Sequence, residues 1–214
     1  MKKVIVVFLL AFCFNTLNGQ KVEKKDWHFN LGSGLGVYNG LNSINTQSSV
    51  GSVSLVTQLG VEYFFEERLS LGISVRQHSF LPENNPTTEF NEAFGGGWYF
   101  TNSYYFFKRP KFVSYGRVML GQTENKFVVT NPQLNSTGKL GFGGFTYGLQ
   151  LGFKKYFGKI IGLFFQVNYT KHNLVIRSMV SDGTTFTEYN NVKVGETRIF
   201  HNGAEAQLGL TIAI

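Results

Sequence analysis

From Trp27 to the last residue, apolar side chains alternate with small or polar ones in stretches of roughly ten residues, and the pattern returns about eight times. In the final stretch, positions 204, 206, 208, 210, 212 and 214 are Ala, Ala, Leu, Leu, Ile and Ile. Between them stand Glu205, Gln207, Gly209, Thr211 and Ala213. A period of two is a β-strand with one greasy and one polar face. The spacing predicts seven earlier strands over 27–38, 52–64, 69–80, 94–107, 112–122, 140–155 and 160–170. Short turns at 65–68, 108–111 and 156–159 alternate with long loops at 39–51, 81–93, 123–139 and 171–196.

Alternation fits both a soluble barrel, of lipocalin type and able to hold a small ligand, and a membrane barrel. The composition of the polar face decides between them. Here it is mostly Gly, Ser, Thr, Gln and Asn with few charges, whereas a surface meeting water carries many Lys, Glu and Asp. Small polar groups suit the lumen of eight strands, which leaves room only for side chains. The aliphatic face is nearly free of charge, as hydrocarbon requires. Aromatic residues flank every short turn: Tyr63-Phe64-Phe65, Tyr104 to Phe107 with Phe112, and Phe153 with Tyr156-Phe157. Rings gathered at one end of each hairpin form an interfacial girdle. The expected fold class is therefore all-β, an eight-stranded antiparallel up-and-down transmembrane β-barrel.

The first residues place the chain. Lys2 and Lys3 precede eleven apolar residues, Val4 to Phe14, and a polar exit runs from Asn15 to Gly19. This is the build of a signal peptide, residues 1–19, too short to span a bilayer as a helix. The outer-membrane barrel domain is then residues 20–214. It contains no cysteine, because Cys13 lies in the signal. The formal charge of +7 falls to +5 when Lys2 and Lys3 leave. The basic residues are scattered over turns, loops and a few strand positions, so nucleic acid is not an expected partner.

Together these features resemble the outer membrane protein β-barrel domain family, the small eight-stranded barrels of OmpA/OmpX type. The resemblance covers about 27–214 and rests on architecture rather than on a sharp motif. It implies residence in the cell outer membrane of a Gram-negative cell, with both termini periplasmic and the long loops outside. It implies outer-membrane lipid and lipopolysaccharide as surroundings, and insertion by an outer-membrane assembly machinery that reads the last strand. Ala206, Leu208, Leu210, Ile212 and Ile214 match the assembly signal in alternation, although the family usually ends in an aromatic residue.

No stretch carries recognisable catalytic or cofactor chemistry. The glycine-rich segments at 32–36, 95–97 and 141–144 have no helix after them to hold a phosphate. His28, His78, His172 and His201 lack metal-ligand spacing, so no metal and no cofactor is expected. A lipid A-modifying barrel enzyme, of deacylase or acyltransferase type, remains as an alternative. It would use His78 with Ser79 or His172 with Ser178. The inward charges are more telling. Counting residues up from the short turns puts Arg76 level with Glu205 and Glu62 level with Lys154, while Glu62 and Arg76 lie too far apart in height. The expected lumen is closed by an Arg76–Glu205 pair supported by Gln58, Gln150, Gln166 and Arg117. The expected role is non-enzymatic, structural or in surface interaction, with any surface ligand bound through the loops, chiefly 171–196.

Overall fold

The computed structural model describes residues 23–39, 52–81, 89–131, 136–189 and 192–214. The proposed signal peptide and the first long loop, at 40–51, lie outside the described residues. Seven long strands come first: β1 (Trp27–Asn39), β2 (Ser52–Glu66), β3 (Leu69–Leu81), β4 (Glu89–Arg109), β5 (Phe112–Asn131), β6 (Ser136–Tyr156) and β7 (Ile161–Ser181). Three short ones follow, β8 (Thr184–Phe186), β9 (Glu188–Tyr189) and β10 (Val192–Lys193), and β11 (Arg198–Ala213) is the last. Each long strand pairs antiparallel with the next, and β11 pairs with both β7 and β1, so eight strands close a ring.

Following paired residues around the ring measures its stagger. From Arg117 the ladder runs through Gln150, Asn168, Glu205, Gly36 and Ser54 to Phe80 of β3. In the other direction it runs through Ser103 to Ser70 of the same strand, ten residues away. A shear of ten in eight strands tilts them about 40° from the axis. The seam is held to its end, where Trp27 and Ile214 exchange both backbone hydrogen bonds at 2.9 Å.

The two faces are oriented as a membrane barrel requires. Leu55, Ile73, Leu149 and Leu210 are exposed on the outside, whereas Gln58, Arg76 and Glu205 are buried inside. On β6 the outward run Phe145, Tyr147, Leu149, Leu151 and Phe153 covers about 20 Å along the axis, close to the height of a hydrocarbon band. An outside of this character belongs in acyl chains, so the lipocalin-like alternative is corrected: the apolar side chains face away from the lumen.

Three further expectations are corrected. The segment 123–139 is not a long loop, because β5 continues to Asn131 and β6 begins at Ser136. The segment 171–196 is also largely strand, since β7 runs to Ser181 and turns back through Asp182 (φ 47°) and Gly183 (φ 80°) into β8. Two residues with positive φ form the tight hairpin turn that an Asp-Gly pair favours. In the second long loop, 81–93, only 82–88 fall outside the described residues, because β4 starts at Glu89. β4 to β7 therefore rise beyond the shorter β1 to β3 as a one-sided wall.

The girdle, finally, is thinner than expected. Phe64, Tyr105 and Tyr156 point inward and are fully buried, so only their neighbours in sequence ring the outside. A bulge between Tyr105 and Phe107 lets Phe106 and Phe107 both face outward in succession.

Candidate functional site

The inward side chains fill the lumen in layers, described here from the short-turn end upward. The floor is a cluster of Phe64, Tyr105, Val113, Tyr115, Tyr156 and Ala213. Above it Glu62 is the hub of a charged layer. Lys154 Nζ donates to Glu62 Oε1 at 2.6 Å, Arg117 Nη2 donates to Glu62 Oε2, and the Tyr105 hydroxyl also donates to Oε1. Arg117 Nε donates to Ser103 Oγ at 2.7 Å, and its guanidinium lies over the Tyr115 ring, 4.9 Å from the centroid. His28 Nδ1 sits 3.1 Å from the Tyr156 hydroxyl and 3.3 Å from Lys154 Nζ.

An amide layer comes next. Gln166 Nε2 donates to Gln58 Oε1 at 3.0 Å and to Gln207 Oε1 at 2.7 Å, and Gln207 Nε2 donates in turn to Glu205 Oε2 at 2.8 Å. That carboxylate also accepts from Arg76 Nη1 at 3.2 Å, from Asn168 Nδ2 at 3.0 Å and from the Tyr38 hydroxyl. The Arg76 guanidinium is further held by Met119 Sδ at 2.8 Å and stands 5.2 Å from the Tyr99 ring centroid.

Above the second charged layer lie His78, His172 and His201 around Tyr38, whose ring stacks on His201 at 4.7 Å. Thr146 Oγ1 lies 2.8 Å from His172 Nδ1. An apolar cluster of Phe80, Phe127, Phe142, Leu174, Ile176, Met179 and Ile199 closes the top, with Phe186, Val192 and Val194 packed on it. Polar groups this deeply buried are stable only when hydrogen-bonded, and charges only when paired. The two hubs meet that demand with the hydroxyl, amide and cationic donors around them.

The structure thus brings Arg76 to Glu205 and Lys154 to Glu62, and it keeps Glu62 apart from Arg76. Gln58 and Gln166 reach Glu205 through Gln207, a link the sequence reading did not contain. Arg117 and Gln150 are corrected. They were expected beside Arg76, but Gln150 Oε1 accepts from Arg117 Nη1 at 3.4 Å in the lower layer, next to Glu62. The same count of residues from the turn would have found this, because Arg117 is only six positions beyond Lys111. The inward tyrosines were missed as well, although Tyr38 follows outward Val37 and Tyr105 follows outward Tyr104. Ala206, Leu208, Leu210, Ile212 and Ile214 all face outward.

The two histidine–serine pairs do not converge. His78 and His172 point into the lumen, whereas Ser79 and Ser178 lie on the opposite face of their strands. Among the described residues no group of His, Cys, Asp and Glu is placed to hold a metal ion. Outside the membrane-spanning part, Lys24 Nζ donates to Glu66 Oε1 at 2.7 Å, and this bond raises the lysine pKa.

This architecture is that of the small outer-membrane β-barrels. The chain resembles OprG from Pseudomonas aeruginosa with a TM-score of 0.57 at 11% identity, covering 92% of this chain and 98% of that one. AlkL in lipid bilayers is similar with a TM-score of 0.55 at 15% identity, covering 92% and 94%. Ail, the attachment invasion locus protein of Yersinia pestis, is similar with a TM-score of 0.50 at 9% identity, covering 89% and 99%. No protein-family model and no curated protein sequence matches the chain.

Proposed function

We propose that this protein is a non-enzymatic barrel of the outer membrane, closed to ions, that presents a rigid wall of strands to the cell exterior. The observation that carries this reading is the filled lumen: two carboxylate hubs, an amide layer and an imidazole layer lie between apolar clusters at both ends. With side chains filling the interior among the described residues, recognition belongs on the outer surface. In this reading the termini are periplasmic, and β4 to β8 stand outside as a platform for a surface ligand. Insertion follows from the apolar alternation of β11, which an outer-membrane assembly machinery would read.

Two measurements test the proposal. Purified protein in planar bilayers should give no stable current steps, and large ones would overturn the closed lumen. Cells producing the protein should have the same lipid A as cells lacking it. A modified lipid A that depends on the protein would favour the enzymatic alternative.

A further inference from the structure

The outer surface of β1 to β3 carries a polar row across an apolar field. Starting from Phe153, paired outward residues run through Phe165 and Leu208 to Ser33, Thr57 and Gln77. These last three are all exposed. Along their own strands, exposed Leu31 and Leu35 flank Ser33, Leu55 and Leu59 flank Thr57, and Val75 lies beside Gln77. Outward Asn102 and Gln122 are polar too, but each stands between apolar row neighbours, Leu71 and Val118 for the first and Trp98 and Phe145 for the second. Ser33, Thr57 and Gln77 are instead consecutive, so their polar groups form one patch.

The patch lies at the depth of hydrocarbon. The row climbs from Phe153 towards Gln77, in the same sense in which the ladder from Arg117 reaches Phe80 rather than Ser70. With strands about 4.8 Å apart and tilted about 40°, each step rises about 3 Å. Ser33 is therefore about 9 Å, Thr57 about 12 Å and Gln77 about 15 Å above Phe153, inside the band of about 20 Å that ends at Phe145. The side chains of these three make no hydrogen bond among the described residues. Acyl chains offer neither donor nor acceptor, so a partner for this patch has to come from protein.

We infer that this row is where two copies of the chain meet side by side in the membrane. The inference rests on the outer-membrane reading, which surrounds β1 to β3 with acyl chains. A two-fold axis along the membrane normal keeps every residue at its own depth, so a second copy brings the same polar groups to the same level. With the axis beside Thr57, the middle of the three, the two Thr57 hydroxyls meet, and Ser33 of each copy faces Gln77 of the other. The two rows slope in opposite senses and cross at Thr57. Ser33 and Gln77 differ in height by about 6 Å, a gap that an extended glutamine side chain and a serine hydroxyl close between them. Each of these groups both donates and accepts, so the pairing leaves no mismatch. Between membrane segments such hydrogen bonds and close packing drive association, because lipid tails are as apolar as leucine.

The chain has one cysteine, Cys13, so a cysteine introduced in a Cys13→Ala background is the only one. Refolded into phosphatidylcholine vesicles and treated with a mild oxidant, Thr57→Cys should give a disulfide-linked dimer. Leu149→Cys, on β6 and four strands away around the ring, should give none at the same protein-to-lipid ratio. Adding Gln77→Leu to Thr57→Cys removes both serine–glutamine contacts. It should weaken the dimer about tenfold, since a side-chain hydrogen bond between membrane segments contributes about a factor of three. Equal cross-linking at positions 57 and 149, or cross-linking unmoved by Gln77→Leu in a barrel that remains heat-modifiable, would overturn the interface. In cells, a cross-link from position 57 to a different protein, with none to itself, would overturn the second copy as occupant. Heat-modifiable migration on a gel separates the two claims. A barrel that inserts but does not cross-link at position 57 overturns this inference alone, and a chain that never becomes heat-modifiable overturns the outer-membrane reading beneath it.

Discussion

Glu205→Gln is the most direct test of how the lumen is held together. The wild-type carboxylate accepts from Arg76, Tyr38, Asn168 and Gln207, and it is the only carboxylate that contacts Arg76 among the described residues. The amide keeps the volume but brings its own N–H donors against a ring of donors, and it leaves Arg76 as an unpaired cation. Removing one partner of a buried ion pair costs about 3–5 kcal/mol, because the other charge stays desolvated. For a chain of this size about 1 kcal/mol shifts the thermal midpoint by about 2–4 °C, so the barrel should melt about 6–20 °C lower. The assay is the loss of the fast-migrating folded form on a gel after heating in one fixed detergent. Adding Arg76→Gln removes the stranded charge and should recover at least half of the loss, because residues in one network are not additive. Glu62→Gln should be worse than Glu205→Gln, since Glu62 balances both Lys154 and Arg117. A Glu205→Gln barrel melting within about 2 °C of wild type, or a double variant showing the plain sum of the two single losses, would refute the reasoning.

Other outcomes follow from the same coordinates. Leu149→Arg places a cation in the middle of the apolar band and should cost about 2–4 kcal/mol of folding stability in a bilayer, read by urea titration in vesicles. Gly34→Ala and Gly116→Ala should differ sharply in the same titration. A Cβ on Gly34 would fall on the Ala206 carbonyl oxygen at the closing seam, whereas on Gly116 it would meet only Leu151 Cδ2 at 3.6 Å. The first should lose about 1–3 kcal/mol and the second about nothing. Gly183→Ala puts a side chain at φ 80° in the β7–β8 turn, at a cost of about 1–2 kcal/mol, and should expose 184–189 to a protease while leaving the heat-modifiable barrel unchanged.

Much of this barrel is legible in the sequence because lipid imposes a single rule on every strand. The outward residues must be apolar wherever hydrocarbon touches them, and the period of two does the rest. The fifth strand reads weakly for a physical reason: Val113, Tyr115 and Met119 make its inner face greasy as well. The upper ends of β4 to β7 escaped for a related one. The apolar cluster on their inner face breaks the contrast between the two faces. Bulges at Phe90/Glu92, Tyr105/Phe107 and Gly141/Phe142 shift the phase further. The Asp182-Gly183 hairpin, by contrast, was readable, since Asp-Gly between β-branched and apolar residues is a strong turn signal. Layer assignments in the lumen were readable only where residues were counted from a turn, as for Arg76 and Glu205 but not for Arg117.

The buried charges show how a barrel can fold around a polar interior. Inside, Glu62 and Glu205 are surrounded by donors and reached by Lys154, Arg117 and Arg76, so each of these three cations is held by a carboxylate. A barrel needs its inner ion pairs in order to fold around a polar lumen.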